Sequence, residues 1–63
     1  MNAPRLTYAD GQHVLEDDYV FDGEMPLIVG DIDVEQAEVC CLTPYGGREV
    51  YRSPHQLELV ERG

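Results

Sequence analysis

The chain has 63 residues, with thirteen Asp and Glu against four Arg and no Lys, for a formal net charge of −9. A domain of this size buries only about 60% of the surface its unfolded chain exposes, and its core supplies roughly 3–5 kcal/mol. Those limits allow one domain and exclude a large enclosed pocket, so pKa-tuned, water-excluding catalysis is not expected. The charge disfavours phosphate backbones, whose recognition rests on Lys and Arg.

No apolar run approaches the roughly 20 residues that span a bilayer. No basic segment precedes an apolar stretch, so no signal peptide is expected. Cys40 and Cys41 are adjacent and cannot staple distant parts of the chain, which makes a cytoplasmic setting the default and a disulfide framework unexpected. The charge is unevenly spread: Leu6 to Gly47 holds ten acids and no Lys or Arg, whereas Arg48 to Gly63 holds three of each sign.

In chain order, residues 1–9 read as a partly ordered extension with a frayed start at Met1 to Pro4, and a single domain spans 10–63. Asp10-Gly11 is a turn signal. His13-Val14-Leu15 begins an apolar stretch, and after Glu16-Asp17-Asp18 the β-formers Tyr19-Val20-Phe21 predict a strand. Asp22-Gly23 is a second turn. Pro26 sits at the start or edge of the next strand, and Gly30 predicts a bulge or bend within it.

Asp33 to Gln36 reads as a hairpin turn. Beyond it, Ala37, Val39 and Cys41 alternate onto one strand face, with Glu38, Cys40 and Leu42 on the other. A helix over 33–42 is the competing reading, because Glu, Gln, Ala and Leu are good helix formers; the β-branched and cysteine content weighs against it. Thr43-Pro44-Tyr45-Gly46-Gly47 predicts a hairpin loop, and Arg48 to Arg52 a short strand with Val50 inward. Ser53 to Gln56 predicts a turn of 3₁₀ helix, and Leu57 to Val60 a last strand. The expected core is Val14, Val29, Ile32, Ala37, Val39, Val50, Leu57 and Val60.

Short strands at this spacing with glycine turns predict a small all-β domain. The rhythm Gly11-x-x-Val14, Val29-x-x-Ile32, Gln36-Ala37-x-Val39, Glu49-Val50 and Leu57-x-x-Val60 resembles SH3-like barrels of the KOW and Tudor type over residues 10–61. The resemblance implies a five-stranded barrel with a bent second strand and a 3₁₀ turn before the last. Nucleic-acid-binding members of that group carry basic loops, whereas the corresponding loops here are acidic.

Several motifs lead nowhere. Asp31-Ile-Asp33-Val-Glu35 opens like a calcium loop, but Gln36 and Leu42 stand where Gly and a bidentate Glu are needed. Cys40, Cys41, His13 and His55 are soft ligands on paper, yet adjacent strand residues face opposite ways and structural zinc sites space their cysteines. No metal and no cofactor is expected. Ser53 and His55 lack an orienting acid and an oxyanion hole. Cys41 is expected in the core, and Cys40 partly exposed or at an interface. Of five aromatics, two or three should fill the core, leaving Tyr45 in its glycine-rich loop exposed as a binding anchor.

The acidic run Glu16, Asp17, Asp18, Asp22 and Glu24, with no basic neighbour in sequence, is the candidate steering surface toward a basic protein. If these residues are exposed and mutually repelling, neutralising Asp17 and Asp18 should leave the fold intact or more stable. The function expected is a small acidic protein-binding or regulatory module. One specific version is phage or mobile-element encoded and acts on a basic, nucleic-acid-handling partner by charge mimicry. No direct nucleic acid and no membrane are expected. Two alternatives compete: a structural or homo-oligomeric protein pairing through an edge strand, and a halophile's housekeeping barrel whose charge merely keeps it soluble.

Overall fold

The computed structural model describes residues 5–63; the expected frayed start at 1–4 lies outside the described residues. Five antiparallel strands form one sheet: β1 (Tyr19–Phe21), β2 (Pro26–Asp33), β3 (Glu38–Leu42), β4 (Glu49–Arg52) and β5 (Glu58–Glu61). A 3₁₀ turn, Pro54–Gln56, precedes β5. The strand order is β4-β3-β2-β1-β5, so the last two strands, neighbours in sequence, are the two edges. They do not pair, and the expected barrel is an open sheet. The reason is local: the 3₁₀ turn, with Pro54 buried, carries the chain away from β4 and delivers β5 to the free side of β1. Among the described residues no helix is long and apolar enough to cross a membrane.

The turns follow their side chains. Asp22 accepts the amides of Glu24 and Met25 at 2.8 Å each, closing the β1–β2 turn. Asp33 accepts the amide of Gln36 at 3.2 Å in the β2–β3 turn. Thr43 accepts the amide of Arg48 on its hydroxyl, and its own amide donates to the Arg48 carbonyl, closing the β3–β4 loop. Gly30 bends β2 as expected. The register slips between Val29 and Ile32, so that Gly30 and Asp31 oppose Cys40 alone. A Cβ at Gly30 would lie 3.1 Å from the Cys40 carbonyl, a tight approach that explains the glycine.

The core lies on one face of the sheet. Val20, Leu27, Val29, Val39 and Cys41 point inward, and Tyr8, Val14 and Leu57 from connecting segments close over them. Ile32 and Val50 pack at its margin. Two expected core residues fall outside. Ala37 is exposed with φ +54, because Val34 to Ala37 is a four-residue loop closing the Asp33–Glu38 pair, and its last residue must turn left-handed. Val60 is 66% exposed. The β1–β5 register slips there, Val20 facing Leu59 and Tyr19 facing Glu61, which leaves Val60 bulged out. The segment 5–9, ahead of the expected domain start, contributes Tyr8 to the core and Leu6 to its margin.

Tyr8 is the one aromatic wholly buried; Tyr19, Phe21, Tyr45 and Tyr51 are exposed. So one aromatic fills the core, where two or three were expected. The sheet's inner face is covered by aliphatic side chains, and the outward strand positions carry the rings.

Both thiols are buried and reduced. Cys41 lies in the core, and burial pushes its pKa up to about 11. Cys40 points to the other face but is buried as well, where a partly exposed or interface position was expected. Tyr51 and Glu49 of the neighbouring strand flank it, and its thiol donates to the Glu49 carboxylate at 3.3 Å. Burial first, and that carboxylate second, raise the Cys40 pKa. At a pKa of about 11 the Cys41 thiol carries about a hundredfold less thiolate at neutral pH than an ordinary cysteine, and the thiolate is the reactive form. We expect a thiol reagent at pH 7.5 to label the native protein far more slowly than the urea-unfolded protein, with Cys41 the slower of the two. Equal rates in native and unfolded protein would contradict this placement.

Candidate functional site

The structure divides the acidic run. Asp18 is wholly buried. Its Oδ2 accepts three hydrogen bonds: from the Tyr8 hydroxyl at 2.7 Å, the Leu15 amide at 3.0 Å and Arg62 at 2.8 Å. Arg62 also donates to the His13 carbonyl at 2.9 Å. Asp18 therefore ties the segment before β1 to the segment after β5. Burial, and next the hydrogen bond to Asp18, push the Tyr8 phenol far above its ordinary pKa. As a member of an exposed steering surface Asp18 is corrected: it lies two residues before Val20 enters the core, and its carboxylate is enclosed with the Tyr8, Leu15 and Arg62 donors.

Asp22 is also committed. Besides the two turn amides, its carboxylate pairs with Arg52 of β4 at 3.3 Å, and only 5% of its side chain is exposed. The Met25 and Glu24 amides, with Arg52 behind them, hold its carboxyl below the usual range. Glu16, Asp17 and Glu24 are exposed. Asp17 has φ +70 in the turn before β1, and Glu24 lies in the turn after it. The run is thus two structural carboxylates and three that are exposed and unpaired among the described residues, split between the two ends of β1.

Tyr45 is 90% exposed, as its loop predicted, and it is not isolated. Together with Met25, Pro26, Thr43, Pro44 and Arg48 it lines a shallow, mainly apolar groove. The groove continues into the outer face of the sheet. Tyr19 pairs with Ile28, and Ile28 with Leu42, so these three side chains form one cross-strand row. Phe21 and Pro26 pair in the next row. Directly opposite residues on one face have Cβ atoms about 5 Å apart, so the rows are continuous surface. Tyr19 is 47% exposed, and Phe21 and Met25 are nearly as open. Carboxylates close both ends of the first row, with Glu61 opposite Tyr19 and Glu49 opposite Leu42. Glu58 stands opposite Phe21.

Sequence reasoning placed Tyr45 and Glu24 on the exposed surface, where they lie, but did not single out Tyr19, Phe21, Ile28 and Leu42. Alternation in β1 is visible in Tyr19-Val20-Phe21, but it does not say which of the two apolar faces is covered. Among the described residues, no three His, Cys, Asp or Glu side chains come together as a metal-binding group. Comparison with protein-family models, with curated proteins and with solved structures finds no match to this chain.

Proposed function

We propose that this chain is a small acidic binding or regulatory module that docks on the basic surface of a protein partner, without catalysis and without direct contact with nucleic acid. The observation that carries the reading is which charges the fold uses up. Arg52 and Arg62 are held in ion pairs with Asp22 and Asp18. Four arginines less these two leave Arg5 and Arg48; thirteen acids less two leave eleven carboxylates outside those pairs. Half of the positive charge is thereby committed to structure, and a surface field of one sign steers an oppositely charged protein.

In its most specific form the partner is a nucleic-acid-handling protein whose basic surface takes these carboxylates in place of phosphates, as a phage or mobile-element inhibitor in the cytoplasm would do. The order β5-β1-β2-β3-β4 and the 3₁₀ turn before the last strand support the SH3-like reading of the fold. Edge pairing into an assembly has less support. β5 carries the Val60 bulge between Glu58 and Glu61, and on β4 the Tyr51 carbonyl is occupied by Arg52 at 2.8 Å. Bulges and charged side chains of this kind discourage strand addition.

The test uses Glu16→Gln/Asp17→Asn/Glu24→Gln, which alters free carboxylates alone; Asn tolerates the left-handed backbone at 17. Against a partner captured from lysate, the variant should associate about tenfold more slowly at low salt, with little change in dissociation and convergence at high salt. Equal association rates at low salt would overturn the proposal.

A further inference from the structure

We infer that the contact surface of this module is the outer face of the sheet around Tyr19, Ile28 and Leu42, and that its occupant is an apolar protein surface bordered by Lys or Arg. The inference rests on the binding-module reading above and adds the face and the chemistry of its partner.

The inner face is filled by its own core, whereas no core of the described residues closes over the outer rows, where Tyr19 and Phe21 stay exposed. Tyr19, Phe21, Met25 and Tyr45 are four of the exposed large apolar side chains; the strand register puts Tyr19 and Phe21 on one surface with Pro26 and the Tyr19–Ile28–Leu42 row, and the groove brings Met25 and Tyr45 beside Pro26. A small acidic domain gains solubility from charge, so rings concentrated on one face are a cost that a partner's coverage offsets. Tyrosines with open rings serve as contact anchors.

Charge complementarity selects among occupants. Glu61 and Glu49 cap the row, and Glu58 faces Phe21; Glu24 adjoins Met25. Arg48 is the single basic residue at the groove. A second copy meeting this face through a two-fold axis would bring the same carboxylates against one another, with one arginine per copy to offset them. An apolar lipid surface is disfavoured for a related reason: anionic headgroups would meet the glutamates. A protein surface with an apolar centre and a Lys or Arg border satisfies both the rows and their ends.

The test uses three synthetic 18-residue peptides as probes, each read by amide chemical-shift changes across the folded protein. One is amphipathic with Leu on one face and Lys on the other. The second keeps the same Lys count but replaces Leu by Gly and Ser. The third keeps Leu and replaces Lys by Glu. The expected result is saturable binding of the first, at least tenfold tighter than the second or third, with shifts concentrated at Tyr19, Ile28, Leu42 and Tyr45. Tyr19→Thr/Tyr45→Ser should weaken that binding at least tenfold; a thermal melt establishes that this variant is folded, and the wild-type shift map decides if it is not. Equal binding of the first and second probes would overturn the face and leave the charge reading standing. Equal binding of the first and third would overturn the basic border. Binding of neither cationic probe in preference to the acidic one would overturn the charge reading itself. Concentration-dependent shifts on this face in the protein alone would assign it to a second copy and overturn the inference.

Discussion

Replacing Asp18 should unfold this protein. In Asp18→Ala the Tyr8 hydroxyl and the Leu15 amide lose their acceptor, and Arg62 loses its counter-ion. Removing one partner of a buried, hydrogen-bonded pair costs about 3–5 kcal/mol, comparable to the whole stability expected of so small a domain. Asp18→Asn should be milder, since its one carbonyl oxygen can stand where Oδ2 does and still accept from these donors, while offering Arg62 no charge. Arg62→Ala should cost less, because 38% of the Arg62 side chain is exposed while Tyr8 and Leu15 still donate to the carboxylate. Tyr8→Phe should also be milder, leaving Asp18 two of its three partners. The measurement is urea unfolding followed by far-ultraviolet circular dichroism. An Asp18→Ala protein with an unchanged midpoint would contradict the buried hub and restore Asp18 to the exposed steering surface that its sequence neighbours suggest.

Leu27→Ala and Val60→Ala should differ sharply although both lie on strands and both read as apolar. Leu27 is 1% exposed at the centre of the inner face, and truncating a buried leucine costs about 2–5 kcal/mol through lost transfer energy and the cavity left behind. Val60 stands in the β5 bulge, largely in solvent, and its truncation should change stability by no more than about 0.5 kcal/mol. Thermal melts of the two variants read this directly. A large loss for Val60→Ala would mean that the bulge is absent and that β5 runs in the register which buries Val60.

Turn chemistry was legible because it is local. Asp33 and Asp22 cap their own turns within three residues, the Thr43–Gly47 loop closes where proline and glycine require it, and Gly30 bends its strand. The all-β class, the hairpin limits and the short 3₁₀ turn before the last strand follow from those signals. Period-two patterning also assigned Val39 and Cys41 to one face, although it carried Ala37, which lies in the turn, along with them.

Three features depended on long-range pairing. The Val60 bulge exists only because β5 pairs with β1 across about forty residues, so no window of sequence around Val60 contains its cause. The choice of covered face was equally non-local: Tyr19 and Phe21 are more apolar in bulk than Val20, yet Val20 meets Leu27 and the core while the rings stay outside. Charge was the third. Glu16, Asp17, Asp18, Asp22 and Glu24 are one run in sequence, but Arg62 and Arg52 arrive from the far end of the chain to bury or pin two of the five. Composition and local chemistry thus determined the class of fold, its turns and its acidity. Tertiary structure decided which carboxylates hold the protein together, which remain free for a partner, and which apolar face is left open, because each of those outcomes depends on a contact partner distant in sequence.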